Sequence, residues 1–219
     1  MSRNTVFAAG EFFHLYNRGT EKRNIFLDSA DYERFSALLY MANSAQPIDL
    51  KQQGRTLFEV QDIDRGETLV NICGYVLMPN HFHLLVEQTT EGGISIFMRK
   101  LGTAYTMYFN AKNERSGALF QGKFKAKHID EDIYLQHLLS YIHLNPVKLI
   151  EPDWRESGIA DRAVAEKYLS SYRHSSFIDY MEVVRPENCI LNKSVFPTEL
   201  VQPSDFKETV TSWLQGPTL

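Results

Sequence analysis

The apolar residues of the chain recur in patterns that predict short strands and amphipathic helices. An aromatic stretch predicts a strand over residues 12–17, and alternation predicts another over residues 124–129. The β-forming run 68–88 predicts two strands on either side of a Pro79-Asn80 turn. Apolar residues at helical spacing predict three helices, over residues 31–43, 93–110 and 130–145.

The order of these elements is strand, helix, strand, strand, helix, strand, helix. It predicts an α/β sandwich of the α+β class, in which helices cover one face of a mostly antiparallel sheet. Residues 45–66 are polar and are expected to form a loop or an irregular hairpin. After residue 150 the chain becomes irregular and proline-bearing. We therefore expect a domain over residues 1–150 and a C-terminal extension over residues 151–219 that packs on it.

The composition indicates an ordinary folded protein, with 43% apolar and 23% charged residues in 219. No apolar run approaches the length of about 18 residues that a membrane-spanning helix needs, and no membrane association is expected. The N-terminal apolar stretch is too short for the core of a signal peptide. Cys73 and Cys189 lie far apart in the sequence and form no CxxC motif. A reducing cytoplasm is the expected location.

The charges are unevenly distributed along the chain. From residue 149 onward there are 7 basic and 11 acidic side chains, which accounts for the whole net charge of −4. Residues 99–127 are basic instead, with Glu114 as the one acidic side chain. This segment predicts either contacts with nucleic-acid phosphates or a solvated helix face. The predicted DNA-binding residues are Arg18, Arg99, Lys100, Arg115, Lys123, Lys125 and Lys127.

His81 and His83 alternate with Phe82 in a predicted strand. Side chains alternate between the two faces of a strand, so both imidazoles project to the same side, about 6–7 Å apart along the strand. Two parallel imidazoles can share one metal ion. An HxH pattern also occurs by chance, so the pair alone is a weak indication of a metal site.

Tyr141 and Asn145 lie four residues apart at the end of the last predicted helix, and therefore on one helix face with His137. A tyrosine hydroxyl can attack a phosphodiester when a metal ion or a base assists it. The amide oxygen of Asn145 would be a suitable third ligand for Mg²⁺ or Mn²⁺. The alternative is a solvent-facing stripe with a half-buried tyrosine. Tyr134 is a weaker candidate, since no amide follows it at the same spacing.

Three ordered blocks, GYVLMPNHFHLLVE, GALFQGKFKAKHID and YLQHLLSYIHLNPVK, resemble the single-tyrosine HUH transposases of the IS200-like family. They most resemble the branch of REP-associated tyrosine transposases, as do LYNRG and SSYRHSSF. The resemblance implies a ferredoxin-like fold, a metal pair at His81 and His83, and a nucleophile at Tyr141. It places Asn145 where the wider family has a metal-binding glutamine.

The resemblance also implies an activity. The expected enzyme is a transposase that cleaves and transfers single-stranded DNA beside a REP-like hairpin, through a 5′-phosphotyrosine intermediate and with Mg²⁺ or Mn²⁺. It would act as a monomer or a homodimer. The alternative is a DNA-binding regulator of the same fold that does not cleave. A histidine-triad nucleotide hydrolase is disfavoured, because Leu85 occupies the place of the further histidine.

Overall fold

The computed structural model of the protein describes residues 7–47, 56–196 and 201–215. Its centre is a sheet of four strands in the order β2-β3-β1-β4, with every neighbouring pair antiparallel. In chain order the strands β1 to β4 are Phe12–Arg18, Val70–Met78, His81–Gln88 and Lys125–Ile129. The first four α-helices, α1 to α4, are Ser29–Met41, Leu57–Val60, Gly93–Lys112 and Asp132–Leu144.

The elements follow the β-α-β-β-α-β order of a ferredoxin-like fold, in which α1 joins β1 to β2 and α3 joins β3 to β4. The prediction of an α+β sandwich with an antiparallel sheet is confirmed. The segment expected to be a loop over residues 45–66 contains the short helix α2, and its residues 48–55 lie outside the described part of the chain.

One face of the sheet is covered by α1 and α3. Phe13 and Leu15 of β1 and Phe82 and Leu84 of β3 are buried in the same apolar cluster as the inner sides of these two helices. Period-two alternation explains this arrangement, because these residues share one face of their strands. Their neighbours in sequence, including the two histidines of β3, consequently project from the opposite face.

Helix α4 packs on that opposite face, whereas the sequence predicted helices on one face only. The apolar stripe of α4, which includes Leu139 and Ile142, shares a second buried cluster with Val76 of β2 and Leu85 of β3. In the middle of the sheet, the strand residues that project to either face are therefore apolar. The second apolar face is the surface that α4 covers. Helix α4 lies directly over β2 at Gly74, where a Cβ would lie 3.4 Å from Leu139 Cδ1.

The two-residue Pro79-Asn80 turn between β2 and β3 is held from outside the hairpin. The backbone N–H groups of Ile25 and Phe26 both donate to the Pro79 carbonyl, at 2.8 and 3.1 Å. The Asn80 amide nitrogen donates to the Lys22 carbonyl at 3.2 Å. These bonds fix the start of β3, where the first histidine stands.

The described chain after α4 forms short helices whose buried side chains mostly join the cluster under α4, whereas Ile190 is buried in the cluster of α1 and α3. The α-helices α5 to α8 are Trp154–Ser157, Arg162–Ser171, Phe177–Tyr180 and Pro203–Ser212. Phe206 of α8 stacks on Tyr180 with 4.2 Å between ring centroids, and both are buried in the cluster that contains the α4 stripe. Arg185 and the buried Asp179 form an ion pair in the same region. No helix in the described ranges has the length and apolarity to span a membrane.

Candidate active site

The face of the sheet under α4 carries polar side chains from three neighbouring strands. Tyr16 of β1 lies opposite His83 of β3, and Arg18 lies opposite His81. On the other side of β1, Tyr16 lies opposite Lys125 of β4. Directly opposite residues of antiparallel strands project to the same side. The register therefore gathers these five side chains on one surface.

The two histidines of β3 are adjacent, and each has one ring nitrogen engaged. Their ring centroids are 5.0 Å apart. His81 Nδ1 lies 2.6 Å from the amide oxygen of Asn80. His83 Nδ1 lies 2.8 Å from Nε2 of His14, a buried residue of β1. The Nε2 atom is thus the nitrogen that each of the two imidazoles has available for a ligand.

Burial keeps both imidazoles neutral. Burial, helped by the charges of Lys148 and Arg18, lowers the pKa of His81 to about 4. The pKa of His83 is held well below its usual value, again chiefly by burial and then by the neighbouring His14. Metal ligation requires neutral imidazole. Near neutral pH, therefore, no proton has to leave either ring before a cation binds.

His81 and His83 open into a cavity of about 360 Å³, here called the histidine cavity. Every lining residue carries a polar group, and three of them, Arg18, Lys22 and Lys125, are cationic. The lining residues are Tyr16, Asn17, Arg18, Lys22, Asn80, His81, His83, Gln121 and Lys125. Such a lining suits an anionic ligand beside a metal ion.

Helix α4 brings Tyr141 next to this cavity. The Tyr141 ring lies 5.5 Å from the His83 ring and 6.0 Å from the His14 ring, edge-on to both. The Arg155 guanidinium of α5 stands over the Tyr141 ring, 4.4 Å from its centroid. Tyr141 lines a second cavity of about 360 Å³, here called the tyrosine cavity. The tyrosine cavity is lined by His14, Tyr16, His83, Lys127, Tyr134, His137, Leu138 and Tyr141.

Asn145 lies one turn after Tyr141, at the start of the 3-10 segment Asn145–Leu149 that follows α4. It is buried, and its amide nitrogen donates to the Tyr141 carbonyl at 2.8 Å. This bond leaves the amide oxygen as the atom that could bind a metal ion. Asn145 is not among the residues that line the histidine or tyrosine cavity. In the sequence it lies between Tyr141 and Lys148, and the charge of Lys148 contributes to the lowered pKa of both His81 and His83.

Five of the seven predicted DNA-binding residues line cavities. Arg18 and Lys125 line the histidine cavity, and Lys127 lines the tyrosine cavity, so these three accompany the histidines and Tyr141. Arg99 and Lys123 line a third cavity of about 710 Å³ beside α3, here called the α3 cavity. The α3 cavity also contains Phe82, the residue between the two histidines that points to the other face.

The remaining two predicted DNA-binding residues are engaged in holding backbone segments. Lys100 Nζ donates to the carbonyls of Ser44 and Gln46, each at 2.5 Å. Arg115 donates to the Asn110 side chain at 2.5 Å and to the Ala118 carbonyl at 3.2 Å. Both cations therefore have a role in stabilising loops that is independent of DNA.

The sequence prediction did not single out His14, Lys148 and Arg155. A signal for His14 existed, because it alternates with Tyr16 and Arg18 along β1 and so had to share their face. Lys148 follows Tyr141 at a helical spacing of seven, but Pro146 obscured that relation. For Arg155 the sequence carries no signal, since it depends on how the chain folds back after α4.

The fold and site define a class of protein: a ferredoxin-like domain with an HxH pair on a central strand and a tyrosine on a covering helix. The model of the family described as transposase IS200-like matches residues 56–145, which include both histidines, Tyr141 and Asn145. The match of residues 56–145 to this family agrees with the resemblance seen in the sequence. No curated protein matches the chain.

The chain is also similar to a solved structure described as a REP-associated tyrosine transposase bound to a REP hairpin. The similarity covers 90% of this chain and 88% of that one, with a TM-score of 0.53 and 16% sequence identity. At that identity the comparison establishes the shared fold, which extends well beyond the residues that the family model matches.

Proposed function

We propose that the protein cleaves and rejoins single-stranded DNA through a covalent bond between Tyr141 and a 5′-phosphate, assisted by a divalent metal ion. The observation that carries this proposal is the placement of the Tyr141 ring 5.5 Å from the His83 ring. Two sequence-distant elements, β3 and α4, thereby bring the proposed nucleophile to the proposed metal pair. The family match supports the broader class of DNA-processing transposase.

The chemistry of the donors fits Mg²⁺ or Mn²⁺. His81 and His83 offer two neutral imidazole nitrogens, and the amide oxygen of Asn145 is our proposed third donor. No group of three or more His, Cys, Asp or Glu side chains suited to a metal ion occurs in the described ranges. The histidine cavity beside His81 and His83 has room for substrate oxygens. A bound divalent ion would stabilise the negative charge that develops on the phosphate.

In the proposed reaction the Tyr141 oxygen attacks phosphorus, and the bond between phosphorus and the 3′-oxygen breaks. The proton lost by Tyr141 is balanced by the proton that the departing 3′-hydroxyl gains. Rejoining reverses these steps, when a 3′-hydroxyl attacks the phosphotyrosine and releases Tyr141. Because the phosphodiester energy is kept in the covalent link, no nucleotide cofactor is needed.

The proposed substrate is a DNA strand that carries a REP-like hairpin. The solved relative is bound to such a hairpin, and Arg18, Lys125 and Lys127 here line the cavities that hold the proposed metal ligands and nucleophile. Phosphate contacts of this kind position a strand without reading its sequence. Lys125 and Lys127 belong to the edge strand β4, so a bound strand would follow that edge.

We also propose that residues 1–150 form the nuclease domain and that residues 151–219 are an extension serving it. The extension contributes Arg155 at the Tyr141 ring, and Trp213, whose ring lies 4.4 Å from that of His137. A cytoplasmic location and activity as a monomer or homodimer stay predictions from the sequence.

A cleavage assay tests the proposed function. Labelled hairpin oligonucleotides with single-stranded flanks are incubated with the protein and Mn²⁺, Mg²⁺ or a chelator. We expect a protein–DNA adduct that survives denaturation and forms only with metal, and that is lost in His81→Ala and His83→Ala. Hairpin binding on a gel without an adduct under any metal condition would support the alternative, a DNA-binding regulator that does not cleave.

A further inference from the structure

His14 has no place in the proposed reaction, yet it is buried against one of the proposed metal ligands. Its Nε2 lies 2.8 Å from His83 Nδ1, and the two ring planes are 27° apart, with centroids separated by 5.0 Å. His14 lies on β1, two residues before Tyr16, which pairs with His83 across the sheet. Two rigid neighbouring strands therefore fix the contact.

One hydrogen bond joins these two nitrogen atoms, and its proton can belong to either residue. Either His83 Nδ1 carries it and His14 Nε2 accepts, or His14 Nε2 carries it and His83 Nδ1 accepts. A neutral imidazole has one N–H and one lone pair. Only the first arrangement leaves the lone pair of His83 on Nε2, the nitrogen that can face a cation.

The neighbouring ligand has an equivalent arrangement. His81 Nδ1 lies 2.6 Å from the Asn80 amide oxygen, which can only accept, so His81 Nδ1 carries the proton and Nε2 the lone pair. The Asn80 nitrogen donates to the Lys22 carbonyl, which keeps the amide oxygen toward His81. Both histidines thus have at Nδ1 a partner that is able to accept a hydrogen bond.

We propose that His14 is a positioning residue, which accepts the Nδ1 proton of His83 and so holds Nε2 of His83 ready for the metal ion. The inference rests on the proposed function for the existence of the metal site. His83 is only 6% exposed, so water is a poor substitute as acceptor. A buried donor without a partner is unfavourable. Groups that orient a metal-binding histidine typically change metal affinity roughly 10- to 100-fold.

The test compares two substitutions of His14. In His14→Gln the amide oxygen can still accept the Nδ1 proton, whereas in His14→Phe the ring keeps the packing but offers no acceptor. Mn²⁺ affinity is measured by electron paramagnetic resonance, with thermal unfolding to confirm that each variant folds. His128→Phe is the control, because His128 is an exposed residue of β4 that pairs with Glu11.

We expect Mn²⁺ affinity to fall by roughly 10- to 100-fold in His14→Phe, to change severalfold at most in His14→Gln, and to stay unchanged in His128→Phe. In the metal-free protein, nitrogen NMR of the imidazole rings should find the proton of His83 on Nδ1 in the wild type, with this preference lost in His14→Phe.

Two results would overturn the proposal: a wild-type His83 protonated on Nε2, or a folded His14→Phe variant that binds Mn²⁺ as the wild type does. Failure of the metal site itself would look different. In that case His81→Ala and His83→Ala would leave Mn²⁺ binding unchanged, and the role of His14 toward the metal would fall with the site.

Discussion

Of the three proposed metal ligands, His81 and His83 line the histidine cavity and Asn145 does not. Asn145 is buried, and its amide nitrogen donates to the Tyr141 carbonyl. A ligand role for Asn145 requires that its oxygen reach the ion from the end of α4. This role can be tested separately from that of the histidines.

If Asn145 is the third ligand, Mn²⁺ affinity should depend on the charge of the side chain at this position. Asn145→Asp supplies an anionic oxygen and should raise Mn²⁺ affinity, since hard cations favour carboxylate oxygen. Asn145→Ala should lower the affinity by roughly tenfold, comparable to losing about 1.4 kcal/mol of binding free energy. Titration with Mn²⁺ by calorimetry measures both changes. Equal affinities in the two variants would exclude Asn145 from the metal site.

A second residue-scale prediction concerns His174, which stacks on Tyr32 with 3.6 Å between ring centroids. Burial, with the charges of Arg173 and Arg185, lowers its pKa from 6.5 to about 4. At a pH between 4 and 6.5, His174 is therefore protonated in the unfolded chain and neutral in the folded protein. The free energy of unfolding therefore falls as the pH drops from 6.5 toward 4.

Replacing His174 with a residue that does not titrate should make the free energy of unfolding less dependent on pH. One such site contributes at most about 1.4 kcal/mol per pH unit, and a partly exposed ring contributes less. His174→Phe should show a smaller loss of unfolding free energy between pH 6.5 and 4 than the wild type, measured by urea unfolding at each pH. A variant with the same slope as the wild type would show that His174 does not titrate differently on folding.

At the scale of elements, the apolar pattern predicted the strands and the long helices because each must bury one side. It was less informative about helix ends. The predicted helix 31–43 begins at Ser29 with Asp28 as its N-cap, and Asp31 accepts hydrogen bonds from the Leu27 backbone and from Lys112. A polar residue near a helix start can cap the helix or bind a distant side chain. Only tertiary contacts decide between these roles.

The same limit applies to α5, a four-residue helix that the pattern could not predict. It delivers Arg155 to the ring of Tyr141. A cation over an aromatic ring contributes about 0.5–2 kcal/mol, depending on how far it is desolvated. We expect this contact to hold the tyrosine ring and to place a positive charge near the incoming phosphate.

Arg155→Ala should therefore slow adduct formation by roughly tenfold, with Mn²⁺ affinity reduced little or not at all. Arg155→Lys, which keeps the charge, should recover part of the rate. Single-turnover rates on a labelled hairpin oligonucleotide measure the effect. An alanine variant as fast as the wild type would mean that α5 contributes packing rather than chemistry.

At the scale of the whole molecule, the net charge of −4 hides a local excess of cations in residues 99–127. The sequence shows where the basic segment lies, but it does not show which of its cations bind other parts of the protein. Lys100 and Arg115 bind carbonyl groups, and Arg99 and Lys123 lie at the α3 cavity. Such assignments depend on the packing of distant segments, which no local pattern encodes.

The position of the remaining lysines leads to a prediction for DNA binding. Replacing Lys125 and Lys127 with alanine should weaken hairpin binding and reduce the slope of log affinity against log salt. The expected reduction is about one unit for each phosphate that the variant no longer neutralises. Fluorescence anisotropy at several salt concentrations measures the slope.

The matched control for this prediction replaces Lys167 of α6 and Lys207 of α8, which line none of the three cavities. This control pair removes the same total charge. If both double variants lower the slope equally, the effect reflects net charge rather than a binding surface on the sheet edge.

The central claim is that Tyr141 forms the covalent bond to DNA, and the adduct itself tests it most directly. Tyr134 provides a demanding comparison, because it lies on the same helix and lines the same tyrosine cavity. The adduct formed with Mn²⁺ is digested, and the modified peptide is sequenced by mass spectrometry. We expect the nucleotide on Tyr141, with the adduct retained in Tyr134→Phe and lost in Tyr141→Phe. A nucleotide on Tyr134, or an adduct that persists in Tyr141→Phe, would contradict the account.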